Sequence, residues 1–243
     1  MRWLLDGELH PGGERTTRRA LELMRLRPGE RLLDVASGAG DSATLAAREF
    51  GCVAAGVDYS AQLVRAAQTS ADAEGLCDRV GFVLGDAEAL PFDDSSFDAA
   101  LCECSLCTFP DKERALAQLH RVLRPGGRAA IADVLADHAR LPETLRSAMA
   151  QVACMGTALS ADGYRLAIER AGFEVLAIEE RGTDAAALAQ RVEDRLRGAR
   201  LLGYADTAVI AGGVENAIDL VRLARQALAE GTLGYAIFLA ARR

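Results

Sequence analysis

Short apolar runs recur along the chain, and each gives way at once to a stretch with helical spacing. The first, Leu32-Leu33-Asp34-Val35, passes through Ala36-Ser37-Gly38-Ala39-Gly40 into a pattern carrying Leu45, Ala46 and Phe50. That predicts a strand over 31–35, a tight turn, and a helix whose first turn holds Asp41 and Ser42. Further strands are predicted over 53–57, 79–84, 97–102 and 128–134. Helices are predicted after Ser60, from Asp111 to Leu123, and before Arg27-Pro28-Gly29, where Thr16 or Thr17 is the expected cap. Arg124-Pro125-Gly126-Gly127 reads as a tight turn. Beyond Val134 the pattern loosens into a helix over 142–152, a helix from Ser160 to Ala171 and a strand over 173–179. Helices over 185–202 and 214–229 and a last strand over 233–241 complete the chain.

Strand and helix alternate, which is the signature of an α/β fold with a doubly wound, mostly parallel, Rossmann-like sheet. Seven strands are expected in one domain spanning 1–243. Within it, 1–30 form an N-terminal segment and helix, 31–181 the cofactor-binding core, 182–232 a helical lid or insertion, and 233–241 the last strand.

Length agrees, since 243 residues, half of them hydrophobic, suffice for one sizeable core. A net charge of -7 argues against nucleic acid as a partner. No apolar run reaches the roughly 20 residues of a membrane span, and the first residues lack the pattern of a signal peptide. The expectation is a cytoplasmic monomer or homodimer acting on a small molecule, with six cysteines that do not form a disulfide framework.

The chemistry starts at the glycine loop. Two glycines at a strand end let the backbone approach a ligand, and the following helix offers free N–H groups. Taken alone, the Gly38–Ala43 stretch also fits a dinucleotide fingerprint, and Asp58 at the second strand's end suits the ribose of either cofactor. Three features favour S-adenosylmethionine. Asp34 precedes the glycines, where it attracts a cation and repels a pyrophosphate. Asp86, in Gly85-Asp86-Ala87-Glu88, places an acceptor where an adenine amino group can reach it. The stretch Arg121-Val122-Leu123-Arg124-Pro125-Gly126-Gly127 precedes the fifth strand.

Over residues 15–180 these motifs together resemble the class I methyltransferases. The resemblance implies that Asp34, Ser37, Gly38 and Gly40 hold the methionine part, Asp58 the ribose, and Asp86 with Ala87 the adenine. Tyr59 and Cys102, at the ends of the second and fourth strands, are counted with the cofactor set.

Cys102-Glu103-Cys104-Ser105-Leu106-Cys107 follows the fourth strand, beside the expected crevice. Cys104 and Cys107 have a zinc-like gap, but the second pair that a closed site needs is missing. The tract from Cys104 to Lys112 and the tract Cys154-Met155-Gly156-Thr157-Ala158-Leu159 both resemble arsenite methyltransferases. That resemblance implies that Cys104 and Cys154 hold trivalent arsenic, a soft centre for which thiolates are natural ligands. Cys107 or Cys102 is then a local third thiol, because Ala43 stands where the family carries another cysteine. Alternatives are selenium, tellurium or a thiol as acceptor, an organic C-, N- or O-acceptor with Glu103 as the nearby base, or a non-catalytic binding protein. His10, His120 and His138 are scattered and read as turn or surface residues, while Tyr164, Tyr204 and Met155 are candidates for the substrate side.

Overall fold

The structure is a computed structural model that describes residues 10–149, 156–201 and 213–243. Strands β1 (Arg31–Val35), β2 (Val53–Asp58), β3 (Val80–Leu84), β4 (Phe97–Glu103), β5 (Leu123–Ala136), β6 (Phe173–Glu180) and β7 (Leu233–Arg242) form one sheet. Their order is β3-β2-β1-β4-β5-β7-β6. The first five are mutually parallel, and β7 runs antiparallel to both β5 and β6. The expected Rossmann-like, mostly parallel, seven-stranded sheet is therefore the architecture observed.

Period-2 alternation sorts the strand residues between two cores. In β4, Ala99 and Leu101 face one side, with Leu32, Ala130 and Ile237. That side is covered by α1 (Gly13–Leu23) and α2 (Asp41–Phe50), through Leu21, Met24 and Leu45. Ala100 and Cys102 face the other side, with Leu33, Val35 and Ile131. There α4 (Lys112–Val122) and α6 (Ala161–Arg170) supply Leu116, Leu119 and Ile168, whereas Ala71 of α3 (Ala61–Ala73) packs in the first core. The remaining described helices are α5 (Glu143–Met149), α7 (Gly182–Leu201) and α8 (Gly213–Ala229). Leu196, Val214 and Ile218 join α7 to α8 in a small core of their own. No helix among the described residues is long and apolar enough to cross a membrane.

Two local expectations change. Helix α1 starts at Gly13, capped by Gly12 at φ 81, and Thr16 and Thr17 lie buried inside it rather than at its cap. A side chain at Gly12 would strike Thr16 Oγ1, so the backbone turns where only glycine fits. Arg124-Pro125-Gly126-Gly127 does not precede the fifth strand but lies inside it. Leu123 already pairs with Phe97, and pairing resumes at Ala99↔Arg128 across a register shift.

Phe82 is the packing residue beneath the glycine loop. A Cβ on Gly40 would lie 2.4 Å from Phe82 Cζ, and one on Gly56 would lie 2.3 Å from Phe82 Cδ1. Gly56→Ala is expected to destabilise the protein by about 2 kcal/mol through overpacking. In a Phe82→Ala background the same change should cost much less, as read from urea denaturation of the four variants. Equal costs in both backgrounds would show that the ring is not the obstacle.

Candidate active site

Parallel strands bring their carboxyl ends to one edge, and here β1, β2 and β4 open a crevice there. At the end of β1 the chain leaves through Ala36 at φ 58 into the glycine loop. The two glycines do different work. Gly38, at φ 55, has nothing within 4 Å of where a side chain would stand, so the loop is open to a ligand there. Gly40, at φ 85, is needed for close packing on Phe82 and Ala67. Asp58 is held at the crevice because its carboxylate accepts the Gly38 N–H and the Ser60 N–H, each at 2.8 Å. One loop amide that sequence reasoning left free for a ligand is thus committed to Asp58.

Two cavities meet at Ala36. One, of about 480 Å³, is lined by Asp34, Ser37, Gly38, Glu103, Cys104 and His10, among others. The other, of about 500 Å³, is lined by Asp58, Tyr59, Asp86, Ala87, Phe109 and Pro110, among others. Tyr59 is 83% exposed there, an apolar ring with little packing of its own. Asp86 accepts the Glu88 N–H at 2.8 Å and so shapes the loop after β3. That loop is clamped by Arg121, whose guanidinium donates to the carbonyls of Phe92 (2.7 Å) and Leu90 (2.9 Å).

The first cavity is acidic. Asp34 is 3% exposed. One of its oxygens, Oδ2, has no hydrogen-bond partner, and Ser37 Oγ is likewise buried without one. Burial, then the charge of Glu103, pushes the Asp34 carboxyl well above the usual carboxylate range, against a backbone hydrogen bond from Ala43. Glu103, at the end of β4, accepts from Thr17 Oγ1 (3.0 Å) on α1 and from Ser42 Oγ (2.8 Å) on α2. His10 Nε2 lies 3.9 Å from Glu103 Oε2 and 3.4 Å from Thr17 Oγ1.

The cysteines separate. Cys104, at φ 51, borders the first cavity, and its N–H donates to the Ala132 carbonyl at 2.7 Å. Cys102 points into the core, with its Sγ 3.4 Å from Ser105 Oγ, and burial pushes its thiol up to about 12. Its side chain lines neither cavity, which corrects its assignment to the cofactor set. Cys107 is fully buried on a 3₁₀ turn (Leu106–Thr108) that carries it away from Cys104. Its N–H donates to Asp133 at 2.8 Å and its side chain bonds the same carboxylate, so neither Cys107 nor Cys102 offers a third thiol to the crevice. Cys154, Met155 and Tyr204 lie outside the described residues. Cys52 is buried and Cys77 is exposed. Tyr164 is a core residue, 5.5 Å from the Phe238 ring, and does not border the crevice.

Sequence reasoning missed His10, Thr17, Ser42 and Phe109. His10-Pro11-Gly12-Gly13 registered only as a turn, and Thr17 only as a cap. Both cavity roles depend on α1 folding back over the carboxyl edge of the sheet.

A solved structure of a putative sarcosine dimethylglycine methyltransferase from Galdieria sulphuraria matches over 99% of this chain and 96% of its own, with TM-score 0.83 and 18% identity. The [4+2]-cyclase SpnF matches over 95% of this chain and 80% of its own, with TM-score 0.73 and 28% identity. Fold and crevice define the chain as a Rossmann-like α/β protein of the methyltransferase type. Residues 33–131 match the methyltransferase domain family. Methyltransferase GfsG of Streptomyces halstedii is 34% identical over 71% of this chain and 63% of its own length. The arsenite methyltransferase of Halobacterium salinarum is 34% identical over 63% of this chain and 39% of its own. The chain thus spans less than two thirds of these relatives. Arsenite methyltransferase is one of several relatives' names, beside O-methyltransferases and quinone methyltransferases, so the resemblance does not single it out.

S-adenosylmethionine is the cofactor of this class, and the residues fit it. The unpartnered Asp34 oxygen and the open backbone at Gly38 suit its cationic amino-acid end. Asp58 suits the ribose hydroxyls, and the Tyr59, Asp86 and Ala87 cavity suits the adenine.

Asp34 yields a test that needs no ligand. The native state keeps the Asp34 proton at pH values where the unfolded chain has released it, so native stability falls as pH rises past the ordinary carboxylate range. Asp34→Asn removes this loss and can still accept from Ala43. Thermal melts should show the variant at least as stable as the wild type at pH 8, with the two converging near pH 4. A variant that melts far below the wild type at pH 8 would contradict the assignment.

Proposed function

We propose that the protein is a methyltransferase that moves the methyl group of S-adenosylmethionine to a small acceptor bound at the Cys104 end of the first cavity. The observation that carries this is the placement of Cys104, Glu103 and His10 on the same cavity as Asp34 and Gly38. When bound, the cofactor supplies an electrophilic sulfonium methyl. The chain's own contribution is to orient the two partners and keep water out. α7 and α8 are read as cover for this end of the molecule. Asp184, near the start of α7, pairs with Arg15 and Arg181, and Ala227 of α8 packs in the cluster that holds Cys107.

For the acceptor, the cysteines support trivalent arsenic, with Cys104 and Cys154 as thiolate ligands. Held by two thiolates, its lone pair attacks the methyl without a general base. A second reading is favoured by the His10–Glu103 contact. An organic hydroxyl or amine acceptor must lose a proton, and this pair is placed to receive it at His10 Nε2 or the Glu103 carboxylate. The relatives named as O-methyltransferases support that reading as well.

The two readings separate in an assay with methyl-labelled cofactor, offering arsenite with a small thiol in one arm and phenols, alcohols and amines in the other. If arsenic is the acceptor, only the arsenite arm gives product. Cys104→Ser and Cys154→Ser then each lose about 100-fold or more, and Cys52→Ser keeps its rate. If the acceptor is organic, His10→Gln loses on the order of 100-fold on that acceptor. Arsenic product that forms equally well without both thiols removes the arsenic reading. No labelled product from any acceptor points to a binding protein instead.

A further inference from the structure

The first cavity gathers several acidic side chains. Glu103 and Asp34 are both nearly excluded from water, with side-chain exposure of 5% for Glu103 and residue exposure of 3% for Asp34. The groups facing Glu103 are Thr17, Ser42, His10 and, across the cavity, Asp34. Asp41 and Glu14 add to the lining. Among the described residues, no lysine or arginine forms an ion pair with Glu103 or Asp34. Asp34 Oδ2, buried and unpartnered on the same cavity, independently marks a place built for a cationic group.

Building on the cofactor assignment above, we propose that Glu103 makes this site charge-selective, so that it retains the sulfonium cofactor and releases the thioether product. Methyl transfer breaks the carbon–sulfur bond, and the bonding pair stays on sulfur. The acceptor's lone pair forms the new bond. The bound molecule thereby loses one of its two cationic centres, while Glu103 stays in place. Facing a cation before transfer and a neutral sulfur after it, Glu103 stabilises the substrate state more than the product state. Two charges a few ångströms apart at a partly buried site interact strongly enough for a tenfold or larger effect on affinity. The site would thus counter product inhibition through a fixed charge, with no moving part.

The test is calorimetric titration at pH 8 with S-adenosylmethionine, sinefungin (which carries an ammonium in place of the methyl sulfonium) and S-adenosylhomocysteine. The wild type is expected to bind the two cations about tenfold or more tightly than the thioether. In Glu103→Gln the affinity for both cations should fall about tenfold, and that for the thioether should change by less than about threefold. Retained thioether binding also shows that the variant is folded. If Glu103→Gln does not fold, Glu103→Met, which keeps the volume without the charge, carries the same comparison. The proposal is overturned if the wild type binds the thioether as tightly as the cations. An unchanged affinity ratio in the variant overturns it equally. If none of the three ligands binds the wild type, it is the cofactor assignment that fails.

Discussion

Burying an acid without a lysine or arginine beside it is costly, and this protein does so twice at one point. Asp34 lies one residue before the end of β1, and Glu103 ends β4. Because the strands are adjacent and parallel, with Asp34 level with Leu101, the two acids end on the same cavity. Most of what surrounds them serves to hold them there. Thr17 reaches Glu103 from α1, Ser42 reaches it from α2, and the Ala43 backbone supports Asp34. Both helices must dock on the sheet before these acids have any partner. The integrity of the site is thereby tied to the core formed by Leu21, Met24, Leu45 and Leu101.

The same strand end explains why a run of three cysteines presents one thiol to the crevice. Alternation along β4 sends Cys102 to the core side. The left-handed turn at Cys104 then carries the chain out of the strand and leaves Cys104 at the cavity. A 3₁₀ turn follows at once and takes Cys107 inside to Asp133. Glu103, Cys104 and Ser105 are the residues of this tract that line the cavity, and the first two bring different chemistries to it. A thiolate suits a soft acceptor, whereas a carboxylate beside an imidazole suits an acceptor that loses a proton.

Much of the fold was legible because β strands and helices announce themselves by local period. Arg31–Val35 and Asp41–Phe50 lie where the pattern puts them, and the Ser60 and Asp111 caps accept the backbone N–H groups of Leu63 and Arg114. Two positions resisted. Gly12 rather than Thr16 caps α1, because a close approach to Thr16 decides the turn. The Pro-Gly-Gly stretch sits inside β5, because pairing with Phe97 on one side and Ala99 on the other extends the strand around it. In the site, Asp34, Asp58, Asp86 and the open Gly38 were readable, since each sits at a strand end or in a loop that follows one. His10 and Thr17 were not, because nothing local ties an N-terminal turn to a strand that begins more than eighty residues later.

By itself, then, the sequence determined the alternation of strands and helices, the class of cofactor and the acids that line the crevice, since these follow from residue type and spacing within single βα units. Only the tertiary structure decided which glycine faces ligand and which faces Phe82, and which cysteine is exposed to the crevice. It also decided that His10 and Glu103 share a cavity. Those outcomes depend on side-chain direction and on contacts between elements far apart in the chain, and local periodicity carries no information about either.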